Sequence, residues 1–171
     1  VVVSVEQYKN CTRDDLTLLF LNINDGLTLN QQEKRNAILV PFSKWVRETT
    51  KLHYDDMLVK VFTSDKARAR RVVDDYIVSM AIYVAKGADV SIQAGEKNKA
   101  YETKSEFSHA VVMKRVDKMI SNYAKFIKRN AGTEMKTSST LFNLFMVYNH
   151  IIDNNYAIRD EKKFYTWFMS T

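Results

Sequence analysis

Glycine, proline and cysteine are scarce in this chain, and each scarcity removes a class of structure. Four glycines and one proline, Pro41, in 171 residues leave few of the turn residues that a many-stranded β fold needs at its reversals. With Lys, Glu, Ala, Leu and Met in good supply, the balance points to helix. The lone Cys11 can form no internal disulfide and no thiolate metal site, which suits a reducing compartment and predicts a cytoplasmic protein. No apolar run approaches the roughly 18 residues that span a bilayer, so no membrane partner is expected. Residues 1–3 lack the basic flank and small-residue cleavage site of a signal peptide. The opening Val-Val-Val-Ser-Val reads as a short strand cut from a sheet whose other strands lie elsewhere. It predicts that the chain is a fragment of a longer protein.

What is present is an ordinary globular mixture. Apolar residues make up 46% and charged residues 27%, enough to build a core and too apolar for disorder. The formal charge of +6 permits an anionic partner such as DNA without requiring one.

Caps and apolar periodicity place the helices. Thr12 with Asp15 three residues later resembles a capping pair, and Leu16, Leu19, Phe20 and Ile23 follow at helical spacing. Gly26 ends that segment. Asn30 and Glu33 form a capping box for a helix reaching about Val40, and Pro41 opens the next. Phe42, Trp45 and Val46 supply the apolar stripe of that helix. A short helix is expected over 54–62, with Met57, Leu58 and Val61 inward. Ser64 caps a long helix over 65–86, closed by Gly87, with Val72, Val73, Tyr76, Ile77, Met80 and Tyr83 facing in. Residues 87–97 read as loop. A second long helix spans 104–131, a third is capped by Thr137 over 140–152, and an aromatic-rich helix over 160–169 ends the chain. The helical spacing of Phe142, Phe145, Met146 and Tyr148, and of Phe164, Tyr165, Trp167 and Phe168, predicts core packing rather than a base-stacking platform. The expectation is a mainly α fold: one multi-helix domain, 1–171, of about six to eight helices with a short N-terminal strand. Within it, 1–40 holds the strand and first helices, and 41–171 a helical bundle.

The densest information lies between Phe20 and Ile38, F-L-N-I-N-D-G-L-T-L-N-Q-Q-E-K-R-N-A-I. Phe20, Ile23, Asn24, Gly26, Leu29, Gln32, Glu33, Arg35, Asn36 and Ala37 match a signature ending in Gln-Glu-x-Arg-Asn-Ala, so the segment resembles the GmrSD-type restriction family. The resemblance implies a ParB/sulfiredoxin-like N-terminal domain, a helical region, often an HNH-type nuclease domain, and defence against phage or modified DNA. The strand at 1–5 and Arg70-Arg71-Val72-Val73-Asp74-Asp75 look like the elements flanking this motif in the family. The family's Asp-Gly-Gln-Gln-Arg string is absent, and His53, His109 and His150 show no HNH spacing. Asn149-His150 with Asp153 is the one tempting cluster, and a capped helix end explains it better. No catalytic site, cofactor or metal is expected.

Two readings of the motif stay open. In the architectural one, Asn30 and Glu33 cap, Gly26 supplies backbone freedom, and Arg35 braces a neighbouring helix through a carboxylate. In the other, Gln32 and Asn36, four residues apart on one helical face, present amides to nucleic acid or to a ligand of the N-terminal domain.

Two basic features complete the picture. Lys66, Arg68, Arg70 and Arg71 crowd the first turns of a helix, where the macrodipole disfavours cations. Lys114, Lys118, Lys125 and Arg129 fall within about 60° of one another on a helix whose opposite side carries Val112, Met119, Tyr123, Phe126 and Ile127. These are the candidate DNA contacts; a simply solvated face or a docking face for another domain stays open for the second set, and pairing with Asp65 or Asp74 for the first. The functional expectation is a helical accessory or nucleic-acid-contacting part of a GmrSD-type protein, without its own catalytic site. The alternative is a structural protein-interaction module; an enzyme is a weaker third.

Overall fold

The computed structural model describes residues 9–23, 30–63, 72–132, 135 and 137–170. Among them are eight α-helices, which we number α1 Arg13–Ile23, α2 Gln31–Ala37, α3 Pro41–His53, α4 Val72–Lys86, α5 Ala94–Ala100, α6 Ala110–Asn130, α7 Ser138–Asp153 and α8 Glu161–Ser170. No strand occurs among the described residues; the strand expected at 1–5 lies outside them.

The fold is arranged around α4. Every residue from Val73 to Val84 except Asp75 is buried, and a helix apolar on all sides must be covered on all sides. Helices α2, α3, α5, α6 and α7 supply that cover. The second long helix, α6, is amphipathic. Val116, Met119, Ile120, Tyr123, Ala124, Phe126 and Ile127 turn inward, while Lys114, Arg115, Lys118, Lys125, Lys128 and Arg129 stay exposed. Where α6 meets α7 and α8 the core is aromatic. Phe145 lies 5.1 Å from Tyr123 and 6.0 Å from Tyr83, ring to ring, and Phe126 touches Tyr148, Phe164 and Tyr165. The buried Tyr123 hydroxyl donates to the Leu141 carbonyl at 2.6 Å, so this ring brings no unsatisfied polar atom into the core.

Local signals fix the helix ends as the sequence suggests. The Thr12 amide donates to Asp15 Oδ2 at 2.8 Å, and the Asp15 amide to Thr12 Oγ1 at 3.2 Å. The Thr12 hydroxyl also holds the Asp15 carboxyl below its usual range. Pro41 sits at the start of α3. Thr137 Oγ1 accepts from the Thr140 amide at the head of α7. Gly87 adopts φ +88° after α4, in the left-handed region where a side chain would be strained.

Three expected elements are corrected, and two residues expected to face inward, Val72 and Trp167, are exposed. Residues 54–62 do not form an α-helix but turns around one 3₁₀ turn, Leu58–Lys60. The Tyr54 hydroxyl donates across this loop to the Phe62 carbonyl, and Met57 and Leu58 are still buried. The loop expected at 87–97 is shorter, because α5 begins at Ala94. Finally, α6 starts at Ala110 rather than near Lys104, preceded by a 3₁₀ turn, Glu106–Ser108. There Ser105 Oγ donates back to the Ala100 carbonyl, and Phe107 is inserted against Phe42 with ring centroids 4.4 Å apart. Burial of Phe107 and the serine hydrogen bonds outweigh the helix propensity of the segment. Among the terminal aromatics, Tyr165 is buried and Phe164 and Phe168 partly so, but Trp167 is 57% exposed.

Phe145 is fully buried among aromatic rings, so Phe145→Ala should lower stability by about 3–5 kcal/mol in urea unfolding. Val111→Ala, at a position 83% exposed, should stay within about 0.5 kcal/mol of the parent chain.

Candidate functional site

Helix α2 is seven residues long, and its capping box is complete. Asn30 Oδ1 accepts from the Glu33 amide at 2.8 Å, and Glu33 Oε2 accepts from the Asn30 amide at 2.7 Å. With its start fixed, the helix turns Gln32 and Arg35 into the protein, each 4% exposed. Gln32 Nε2 donates to Tyr101 Oη at 2.8 Å and to Asn36 Oδ1 at 3.2 Å. Arg35 Nη1 donates to Gln32 Oε1 and to Asp75 Oδ1, both at 2.8 Å, and Arg35 Nε to Asn98 Oδ1 at 2.9 Å. Asn36 Nδ2 donates to Asp74 Oδ2 at 2.7 Å, and the Asn36 carbonyl accepts from Arg47 at 3.3 Å. Lys97 from α5 closes the set on the second oxygen of Asp75.

Two cations, Arg35 and Lys97, thus meet Asp75, while Asp74 accepts from the Asn36 amide. Burial pushes the Tyr101 phenol well above its ordinary range, against the opposing pull of the Gln32 hydrogen bond. The amides of Gln32 and Asn36, which the sequence left available for a ligand, are turned inward to Tyr101, Asp74 and each other. Arg35 braces α4 through Asp75. Of the other motif residues, Asn24, Gly26, Leu29 and the Phe20 side chain lie outside the described residues, as do Lys66, Arg68, Arg70 and Arg71.

The second candidate surface is the outer side of α6, which carries six cations. Three of them are paired: Arg115 with Asp153 at 2.8 Å, Lys128 with Asp56 at 2.8 Å, and Arg129 with Glu161 at 2.7 Å. The Arg129 guanidinium donates to both Glu161 oxygens, which holds the Glu161 carboxyl below its usual range. Lys114, Lys118 and Lys125 are exposed and have no carboxylate partner among the described residues. They lie within about 40° of one another at 100° per residue, in a line about 16.5 Å long.

Beside this line, α3 and α6 meet through His53, which is 6% exposed. Its Nε2 lies 3.3 Å from Ser121 Oγ. Burial pulls the imidazole below its ordinary value of 6.5; Asp117 and Asp56 oppose that pull and Lys125 adds to it. The Asn149-His150-Asp153 cluster is a helix end. Asn149 Nδ2 and Arg115 both donate to Asp153 Oδ2, and Asn154 closes the last turn on the His150 carbonyl at 2.8 Å. No group of three or more His, Cys, Asp or Glu among the described residues could hold a metal ion. Comparison of the chain with family models, with curated proteins and with solved structures finds no match.

Arg35→Ala removes one cation from a buried cluster and leaves Gln32 Oε1 without its donor. Because Asp75 is partly exposed and keeps Lys97, the expected loss is about 2–4 kcal/mol in urea unfolding. Arg35→Lys should recover little of it, since an ammonium cannot reproduce the fork that reaches three partners. A loss under about 0.5 kcal/mol would show that the cluster does not brace the fold.

His53 sets a pH dependence of known sign. Its folded value is lowered, so the fold favours the neutral ring. That contribution is complete above the ordinary value of 6.5 and is lost as pH falls through the lower folded value. Between about pH 7.5 and pH 5, His53→Gln should therefore lose less stability than the parent chain in urea titrations. Equal losses would remove His53 as the titrating group.

Proposed function

We propose that this chain is the helical, nucleic-acid-contacting part of a GmrSD-type phage-defence or DNA-processing protein, acting in the cytoplasm and contributing contacts rather than chemistry. The observation that carries the reading is the division of charge on α6. Arg115, Lys128 and Arg129 are neutralised at the flanks, whereas Lys114, Lys118 and Lys125 form one exposed, unpartnered line among the described residues. Unpaired lysines have no ion pair to give up before meeting a phosphate, and their binding releases the counterions condensed on the nucleic-acid backbone. The family part of the proposal rests on the residues matched between Phe20 and Ala37. The N-terminal domain of the same protein is the second partner proposed. No helix among the described residues is long and apolar enough to cross a membrane.

A structural protein-interaction module is the second reading, and the inward turn of Gln32, Arg35 and Asn36 favours it. A motif engaged in joining α2 to α4 and α5 needs no external ligand to account for it.

The two readings separate in a binding experiment on the 171-residue chain with labelled DNA across a salt series. With three lysines engaged, log affinity should fall against log salt with a slope near −2 to −3. Reversing Lys114, Lys118 and Lys125 to Glu together should weaken binding at low salt by about 100-fold or more and flatten that slope, with the thermal midpoint held. Binding that is absent at low salt, or indifferent to the reversals, would leave the structural module.

A further inference from the structure

We infer that the lysine line of α6 is built for a single strand of nucleic acid rather than a duplex. The inference rests on the nucleic-acid reading above and narrows it. A helix that reads a duplex enters a major groove about 12 Å wide and needs its outer face and both shoulders clear of neighbouring elements. Helix α6 is not free to do so. Along one flank α3 and the loop after it are attached through Trp45 to Asp117, His53 to Ser121 and Asp56 to Lys128. Along the other, α7 and α8 are attached through Asp153 to Arg115 and Glu161 to Arg129. In the arc between these flanks, Lys114, Lys118 and Lys125 are exposed cations of α6 that have no carboxylate partner among the described residues.

The charge pattern across that arc is one cation wide. Carboxylates stand on both sides, Asp117 and Asp56 on the α3 side and Asp153 and Glu161 on the other. Asp56, Asp153 and Glu161 are in ion pairs and Asp117 holds the Trp45 indole N–H. One row of phosphates laid along the lysines meets positive charge throughout. The second row that a duplex brings would lie over flanks where the cations of α6 already meet carboxylates. Two exposed aromatic residues belong to the α7–α8 flank. Tyr156, three residues beyond Asp153, is 65% exposed, and Trp167, 57% exposed, rests on Phe164, which packs on Phe126 of α6. Unpaired bases offer faces to stack on such rings, whereas bases inside a duplex do not. A single row of unpaired cations, with exposed aromatics carried on the α7–α8 side of the same helix, suits a single strand.

The test titrates the 171-residue chain into a fluorescein-labelled mixed-sequence DNA of about 20 nucleotides, single-stranded and annealed to its complement, with anisotropy as readout. The single strand should bind at least about tenfold more tightly than the duplex, with a salt slope near −2, or about 0.7 for each of three phosphates. Tyr156→Ala and Trp167→Ala should each weaken single-strand binding by about fivefold or more and leave the slope unchanged. Duplex binding as tight as single-strand binding, or aromatic variants that bind like the parent, would overturn this inference and leave the nucleic-acid reading standing. Failure to bind either form at low salt would overturn both.

Discussion

The burial of α4 on every side is the constraint on which the rest of the molecule depends. A helix that presents Ile77, Val78, Met80, Ala81 and Ile82 with no solvent contact has no polar face to leave open, so its neighbours must enclose it. That requirement recruits α3, α5, α6 and α7 as a shell, and it fixes which face of each is apolar. Cations then accumulate on the far side of α6 because its near side is committed to α4. The basic surface is in this sense a by-product of the core: an amphipathic helix in the shell has only one place to put charge.

The same constraint explains the polar cluster at the head of α4. Asp74 is 1% exposed, and a carboxylate at that depth must be hydrogen-bonded or paired. Asn36 meets Asp74, while Arg35 and Lys97 meet Asp75. The short α2, which buries little of its own surface, is held in the fold by these polar contacts more than by apolar area. A buried network of this kind is weak evidence for added stability, because desolvation offsets much of the attraction. Its effect is to specify register: Gln32, Arg35 and Asn36 are satisfied together only when α2 lies against α4 and α5 in this one way.

Local chemistry was legible in the sequence, and long-range chemistry was not. The capping pair Thr12–Asp15, the box Asn30–Glu33, the Thr137 cap and the turn at Gly87 each involve residues at most three apart, and each appears as its residue types demand. The brace from Arg35 could be anticipated only as a brace to some carboxylate. Its partner lies 40 residues away, and the Tyr101 that receives Gln32 lies 69 away, with no periodicity linking them. The misread segments fail for a related reason. Residues 54–62 and 104–109 carry helical composition, but their geometry is decided by Tyr54 reaching Phe62 and by Phe107 reaching Phe42. Tertiary contacts there override propensity.

The basic face of α6 shows where angular reasoning ends. A helical wheel places Lys114, Lys118, Lys125 and Arg129 on one side as equals, because it knows only the angle of each residue about its own axis. Packing separates them. Arg129 lies at the edge of the arc, where α8 brings Glu161 within reach of both its terminal and inner nitrogens, so its charge is already engaged. The three lysines sit nearer the centre of the arc, where no carboxylate among the described residues reaches them. What distinguishes a solvated ion pair from an available cation is therefore the position of the flanking helices. Those positions follow from the burial of α4, so the core decides which surface charges remain free for a partner.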